Sequence, residues 1–150
     1  MNGKSAIALM AALVSGCGTK EEVADEKKLV TTISTHSRDC DDKQYPVALT
    51  VQNNSNKKLL ARSVMVSLTQ KGHSTILHAT QLENDAILQP GFEQVTCHPI
   101  LMGAMIGYYS EKTPADHIRR MEVLKTLAPD EIEYEAYVDG WRFEPVESAT

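Results

Sequence analysis

The sequence predicts a mainly β fold: an antiparallel β-sandwich with one helix inserted near the C-terminus. Three observations carry that expectation. Several stretches alternate apolar and polar residues with period two, the mark of half-buried strands. Turn signals built from Asn, Gly and Pro separate them at intervals of roughly 8–12 residues, as in two-sheet β domains. Only one stretch, Ile118, Met121, Leu124 and Leu127, repeats at helical spacing.

Leu29 to Thr35 is rich in β-branched residues and reads as the first strand. His36 to Lys43 is a polar loop carrying Cys40. Tyr45, Val47, Leu49 and Val51 then alternate with Pro46, Ala48, Thr50 and Gln52, and Pro46 suits a strand entry. Asn53-Asn54-Ser55-Asn56 is a dense turn signal, because Asn tolerates left-handed backbone. Leu59 to Thr69 gives the clearest alternation, with Val64, Val66 and Leu68 on one face and Ser63, Met65, Ser67 and Thr69 on the other. Lys71-Gly72-His73-Ser74 turns the chain into a strand over Ser74 to Leu82, with Ile76 and Leu82 in phase, so Leu59 to Leu82 is a predicted hairpin. Ala86-Ile87-Leu88 is a short apolar strand stopped by Pro90-Gly91, and Phe92 to Cys97 is the next strand.

From Pro99 to Tyr109 the pattern fits a buried loop, a bulged strand or a poor helix. Thr113 as N-cap, Pro114 at the first helical position and Asp116 in the first turn open a helix that Pro129 stops. Glu131 to Val138 alternates again, with Ile132, Tyr134, Ala136 and Val138 inward. Asp139-Gly140 is a strong two-residue hairpin signal. Trp141 and Phe143 follow on one face.

The N-terminus has a different organisation. Lys4 supplies a positive charge, and Ala6 to Val14 is an apolar run too short for a bilayer, which takes about 20 residues. Val14-Ser15-Gly16-Cys17 closes it. This stretch resembles the lipobox of bacterial lipoproteins, with Val14 where that family more often has Leu. The resemblance implies cleavage before Cys17, a diacylglyceryl thioether on its sulfur and an acylated amine. Several acyl chains hold a protein on a membrane stably where one does not. Gly18, rather than Asp, implies delivery to the outer membrane facing the periplasm, with the inner membrane as the alternative. The expected organisation is therefore a signal peptide over 1–16, a lipidated tether over 17–28 and a sandwich over 29–150. The tether, Gly18 to Lys28, is polar and lacks a sustained apolar period; a short exposed helix over Lys20 to Lys28 is its alternative. The layout beyond it resembles the immunoglobulin-like sandwiches common on bacterial lipoproteins.

Removing residues 1–16 takes only Lys4 from the charge count, so the net charge moves from −5 to −6. No basic stripe offers itself to phosphates, which argues against nucleic acid as a partner. With Cys17 assigned to lipid, Cys40 and Cys97 remain as an even pair in an oxidising compartment, and a disulfide between them follows. Across the 57 residues that separate them, such a bond contributes at most about 4 kcal/mol in the chain-entropy model.

Of five histidines, none sits in a nucleophile elbow, a zincin helix or a Cys-x-x-Cys pair. The weak metal alternative is His36 and His98 beside Cys40 and Cys97, a donor set suited to zinc or copper. Glu131, Glu133 and Glu135 read as a solvated strand face. The expected function is a non-catalytic binding or assembly module in the envelope, without a cofactor, held to the membrane through Cys17 and serving an envelope protein partner. A periplasmic enzyme inhibitor of the lysozyme-inhibitor type, or a metal-binding protein, is the alternative.

Overall fold

The structure is a computed structural model. It describes residue 25 and residues 27–35, 37–104 and 109–145. Among the described residues, six strands form two antiparallel sheets. They are β1 (Leu29–Ser34), β2 (Val47–Asn53), β3 (Leu59–Gln70), β4 (Ile76–Asn84), β5 (Glu93–His98) and β6 (Ile132–Phe143). One sheet has the order β1-β2-β5 and the other β4-β3-β6. A helix, α1 (Ala115–Thr126), lies between β5 and β6. The mainly β sandwich with a helix near the C-terminus is therefore the fold.

The core forms where the alternating faces meet. Val47, Leu49 and Val51 of β2 face Val64, Val66 and Leu68 of β3, and all six are buried. Met121 and Leu124 of α1 join them, with Met102 from the preceding loop. Pro99 to Ala104 is a turn-rich segment that buries Met102 and leaves Pro99 and Gly103 exposed; residues 105–108 of the expected stretch lie outside the described residues. Gly103, at φ 70°, brings its backbone against Thr80, where a Cβ would sit 3.0 Å from the hydroxyl. On the opposite side, Thr31 of β1 donates from Oγ1 to the carbonyl of Ala136 at 2.7 Å. A side chain of one sheet thereby satisfies an edge carbonyl of the other.

Several local expectations need correction. Asp139-Gly140 does not turn the chain. β6 is a single strand of 12 residues paired along β3. The register slips between Ser63 and Val64, so Asp139 is the extra residue of a bulge. Its carboxylate accepts from Ser63 Oγ at 2.7 Å and Gln81 Nε2 at 2.9 Å. The type I′ turn would need positive φ at both central residues, and Gly140 is not among the glycines with positive φ. Leu77, not Ile76, is buried, because the register also shifts between Leu68 and Thr69. Ala86-Ile87-Leu88 makes only one bridge, Leu88 with Leu59. Pro114 rather than Thr113 occupies the N-cap position of α1, and Thr113 Oγ1 accepts instead from the amide of Ser110 at 3.0 Å.

The two ends of the sandwich differ. One end gathers the start of β1, the end of β2, the start of β3, the end of β4, the start of β5 and the end of β6. The described chain enters and leaves here. The other end carries the β1–β2 loop with Cys40, the end of β5 with Cys97, and both connections of α1.

Candidate functional site

At the entry end, Asn53 organises the loop. It is fully buried. Its Nδ2 donates to the carbonyls of Lys57 at 2.8 Å and Leu88 at 3.0 Å. Its Oδ1 accepts from the amide and the hydroxyl of Ser55, at 3.1 and 2.6 Å. A polar side chain at this depth is tolerated because its donors and acceptor are used. The turn signal at Asn53 was legible in sequence; the role of its amide as a tie between two loops was not.

The fixed loop presents Lys57 to Asp25. Lys57 Nζ lies 2.9 Å from one carboxylate oxygen of Asp25 and Lys28 Nζ 3.0 Å from the other. Asp25 is 4% exposed. The hydrogen bond from Lys57 outweighs burial and, with Lys28, holds its carboxyl below the usual carboxylate range. The C-terminal part of the expected tether is therefore docked on the domain. The amide of Asn54 donates to the carbonyl of Lys28 at 2.9 Å and fixes the entry further. Cys17, the expected lipidation residue, lies outside the described residues. Beside this entry a recess of about 470 Å³ is lined by Asn56, Lys57, Lys58, Gln89, Pro90, Glu144 and Pro145.

At the opposite end Cys40 and Cys97 stand at disulfide distance, with their Cα atoms 5.5 Å apart. His98 follows Cys97 on a strand, so its side chain goes to the other face. It pairs in register with Val47 and faces the space between the sheets. Its Nε2 lies 2.8 Å from Thr96 Oγ1, and burial lowers its pKa. The imidazole and the sulfurs are thus on opposite sides of β5. His36, the other residue of the metal alternative, lies outside the described residues. Among the described residues, no three His, Cys, Asp or Glu side chains gather as metal ligands would.

The Thr96–His98 contact has the composition of a nucleophile and base. Thr96 Oγ1 also donates to the carbonyl of Leu49, at 3.4 Å. Among the described residues no carboxylate is bonded to the imidazole to orient it, as a catalytic set requires. Glu133 and Glu135 lie exposed along the outer face of β6, whereas Glu131 ends the 3-10 turn before it and accepts from the amide of Ala128 at 2.8 Å. His78, on the inner face of β4, is shifted down by burial and by the nearby His117.

Sequence reading passed over one inward charge. Arg62 keeps the phase of Val64, Val66 and Leu68 and is 4% exposed. Its guanidinium donates to the carbonyl of Ala86 at 3.0 Å and to Oε1 of Gln94 on β5. Burial lowers its pKa. The bond to Gln94 spans the two sheets where β5 turns polar residues inward. The signal was present: position 62 continues the even-numbered apolar row. A depression of about 410 Å³ on the same strands is lined by Ala61, Arg62, Ser63, Asp85, Gly140, Trp141 and Arg142. Arg62 and Trp141 are paired in register there.

Comparison with family models, curated proteins and solved structures found no match to this chain.

Proposed function

We propose that the chain is a lipid-anchored envelope lipoprotein whose sandwich acts as a non-catalytic binding or assembly module. The observation that carries this reading is the lipobox-like Val14-Ser15-Gly16-Cys17 at the end of a short apolar run. Two features support it. Cys40 and Cys97 stand at disulfide distance, which suits an exported domain. Asp25, eight residues after Cys17, is buried against the domain, so an anchor at Cys17 would hold the sandwich by a defined end.

The partner class is another envelope protein, engaged by the outer faces and loops of the sandwich. Outer-membrane placement follows from Gly18 after the lipid-bearing cysteine. The test is fractionation of the native host's envelope. Wild type should partition with the membrane, and Cys17→Ser should appear as a released or unprocessed form with its domain folded. Identical fractionation of the two would refute the anchor. Crosslinking in cells, read by mass spectrometry, should return a recurring envelope protein; a repeatable absence of any crosslinked protein would refute the module.

A further inference from the structure

We propose that the entry end of the sandwich rests on the bilayer surface, with Phe92 and Ile87 as its apolar contacts. The inference rests on the lipid-anchor reading and adds an orientation to it.

Among the described residues, Phe92 and Ile87 are the two most exposed of the large apolar side chains, at 64% and 61%. Both lie on the β4–β5 connection. That connection is at the entry end, because Leu88 bridges Leu59 and Asn53 exchanges hydrogen bonds with its neighbours. The disulfide end has Tyr45 and Ile76, each less than half exposed. Among the described residues, the two most exposed large apolar side chains therefore sit where the chain would come from its anchor.

The length of the tether favours the same arrangement. From Cys17 to Asp25 is eight residues, which span at most about 29 Å when fully extended. The ion pairs of Asp25 with Lys57 and Lys28 fix where that tether meets the domain. A lipid at Cys17 thus keeps the β4–β5 loop close to the membrane, and a short tether makes even a weak surface contact effectively intramolecular. The loop is also held in shape. Asn53 bonds the carbonyl of Leu88, the amides of Asn53 and Gly91 bond the carbonyls of Phe92 and Asn53, and Leu88 is buried. Its exposed side chains are presented with little further loss of conformational freedom.

Lys27, Lys28, Lys57 and Lys58 share this end, but so do Asp85, Glu93 and Glu144. The contact is accordingly driven by apolar area, with an aromatic ring and a branched aliphatic chain entering the headgroup boundary.

The experiment uses the mature lipidated chain in vesicles of phosphatidylethanolamine and phosphatidylglycerol, with the lipid on Cys17 verified by intact mass. Hydrogen exchange is compared between wild type and the Ile87→Ser, Phe92→Ser double variant. The amides of Gln89 and Gly91 should exchange about fivefold more slowly in wild type, while residues 71–75 at the other end match in both chains. Equal exchange in a verified lipidated pair overturns the docking and leaves the anchor standing. Absence of lipid on Cys17 overturns both. Faster exchange at Leu59 in the variant means a loosened loop and overturns the docking, because the Leu59 amide donates to the Leu88 carbonyl. Protection that rises with protein density in the membrane identifies a second copy as the occupant and also overturns it.

Discussion

Asp25 shows how one buried carboxylate turns a polar leader into part of a domain. It is matched by two lysines, one of them placed by the Asn53 loop. Its folded pKa lies below the ordinary value of 3.8. A group of this kind contributes stability above its unfolded pKa and loses it as pH falls through the folded one. Asp25→Asn should therefore lower unfolding stability by about 1–3 kcal/mol at pH 7, and the gap from wild type should narrow as pH drops below about 4. Denaturant titrations at the two pH values check this; a gap that does not change with pH contradicts the ionic contact. None of it was legible in the sequence. Asp25 stands among other charged residues from Lys20 to Lys28, and nothing local distinguishes the one that folds back on Lys57. Arg62 is the contrasting case, since its inward phase could be read from Val64, Val66 and Leu68, but its partners lie on β5 and the loop before it.

At the scale of the element, periodicity identified strands well because each has one face in the core. β2 and β3 display it most clearly, with Val47, Leu49 and Val51 opposed to Val64, Val66 and Leu68. It failed where a register slip interrupts the period. Asp139-Gly140 has the composition of a hairpin turn, yet the long pairing of β3 with β6 absorbs it as a bulge. The glycine leaves room there for the Ser63 hydroxyl in its bond to Asp139. A Cβ on Gly140 would lie 2.5 Å from Ser63 Oγ. Gly140→Ala should cost about 1–3 kcal/mol through this overlap. In a Ser63→Ala background, where the hydroxyl is gone, most of that cost should disappear. Additive effects in the double-mutant cycle would contradict the contact. The start of α1 was displaced by one residue, because Thr113 spends its hydroxyl on Ser110 instead of on the helix amides.

For the whole molecule, the sandwich has a polarity that no single segment reveals. Chain entry, the Asn53 loop and the β4–β5 loop share one end, while Cys40, Cys97 and the connections of α1 share the other. That division arises from strand order, which period and turn signals do not determine. The cysteine pairing was legible because, with Cys17 read as the lipid-bearing residue, two thiols and one simple arrangement remained. Its 57-residue separation implies a contribution of up to about 4 kcal/mol. A reductant should therefore lower the melting temperature of wild type substantially and leave that of the Cys40→Ala, Cys97→Ala variant unmoved. A wild-type midpoint indifferent to reductant would contradict the bond. The candidate site was legible only as a motif. The lipobox-like stretch is local, whereas the surfaces that would meet a partner are assembled from distant strands.

The most direct test of the account is the intact mass of the protein purified from its native host's envelope. The account predicts a chain that begins at Cys17, carries diacylglycerol and an acylated amine there, and has Cys40 and Cys97 closed to alkylation. A chain that still begins at Met1, with all three thiols open to alkylation, would contradict it.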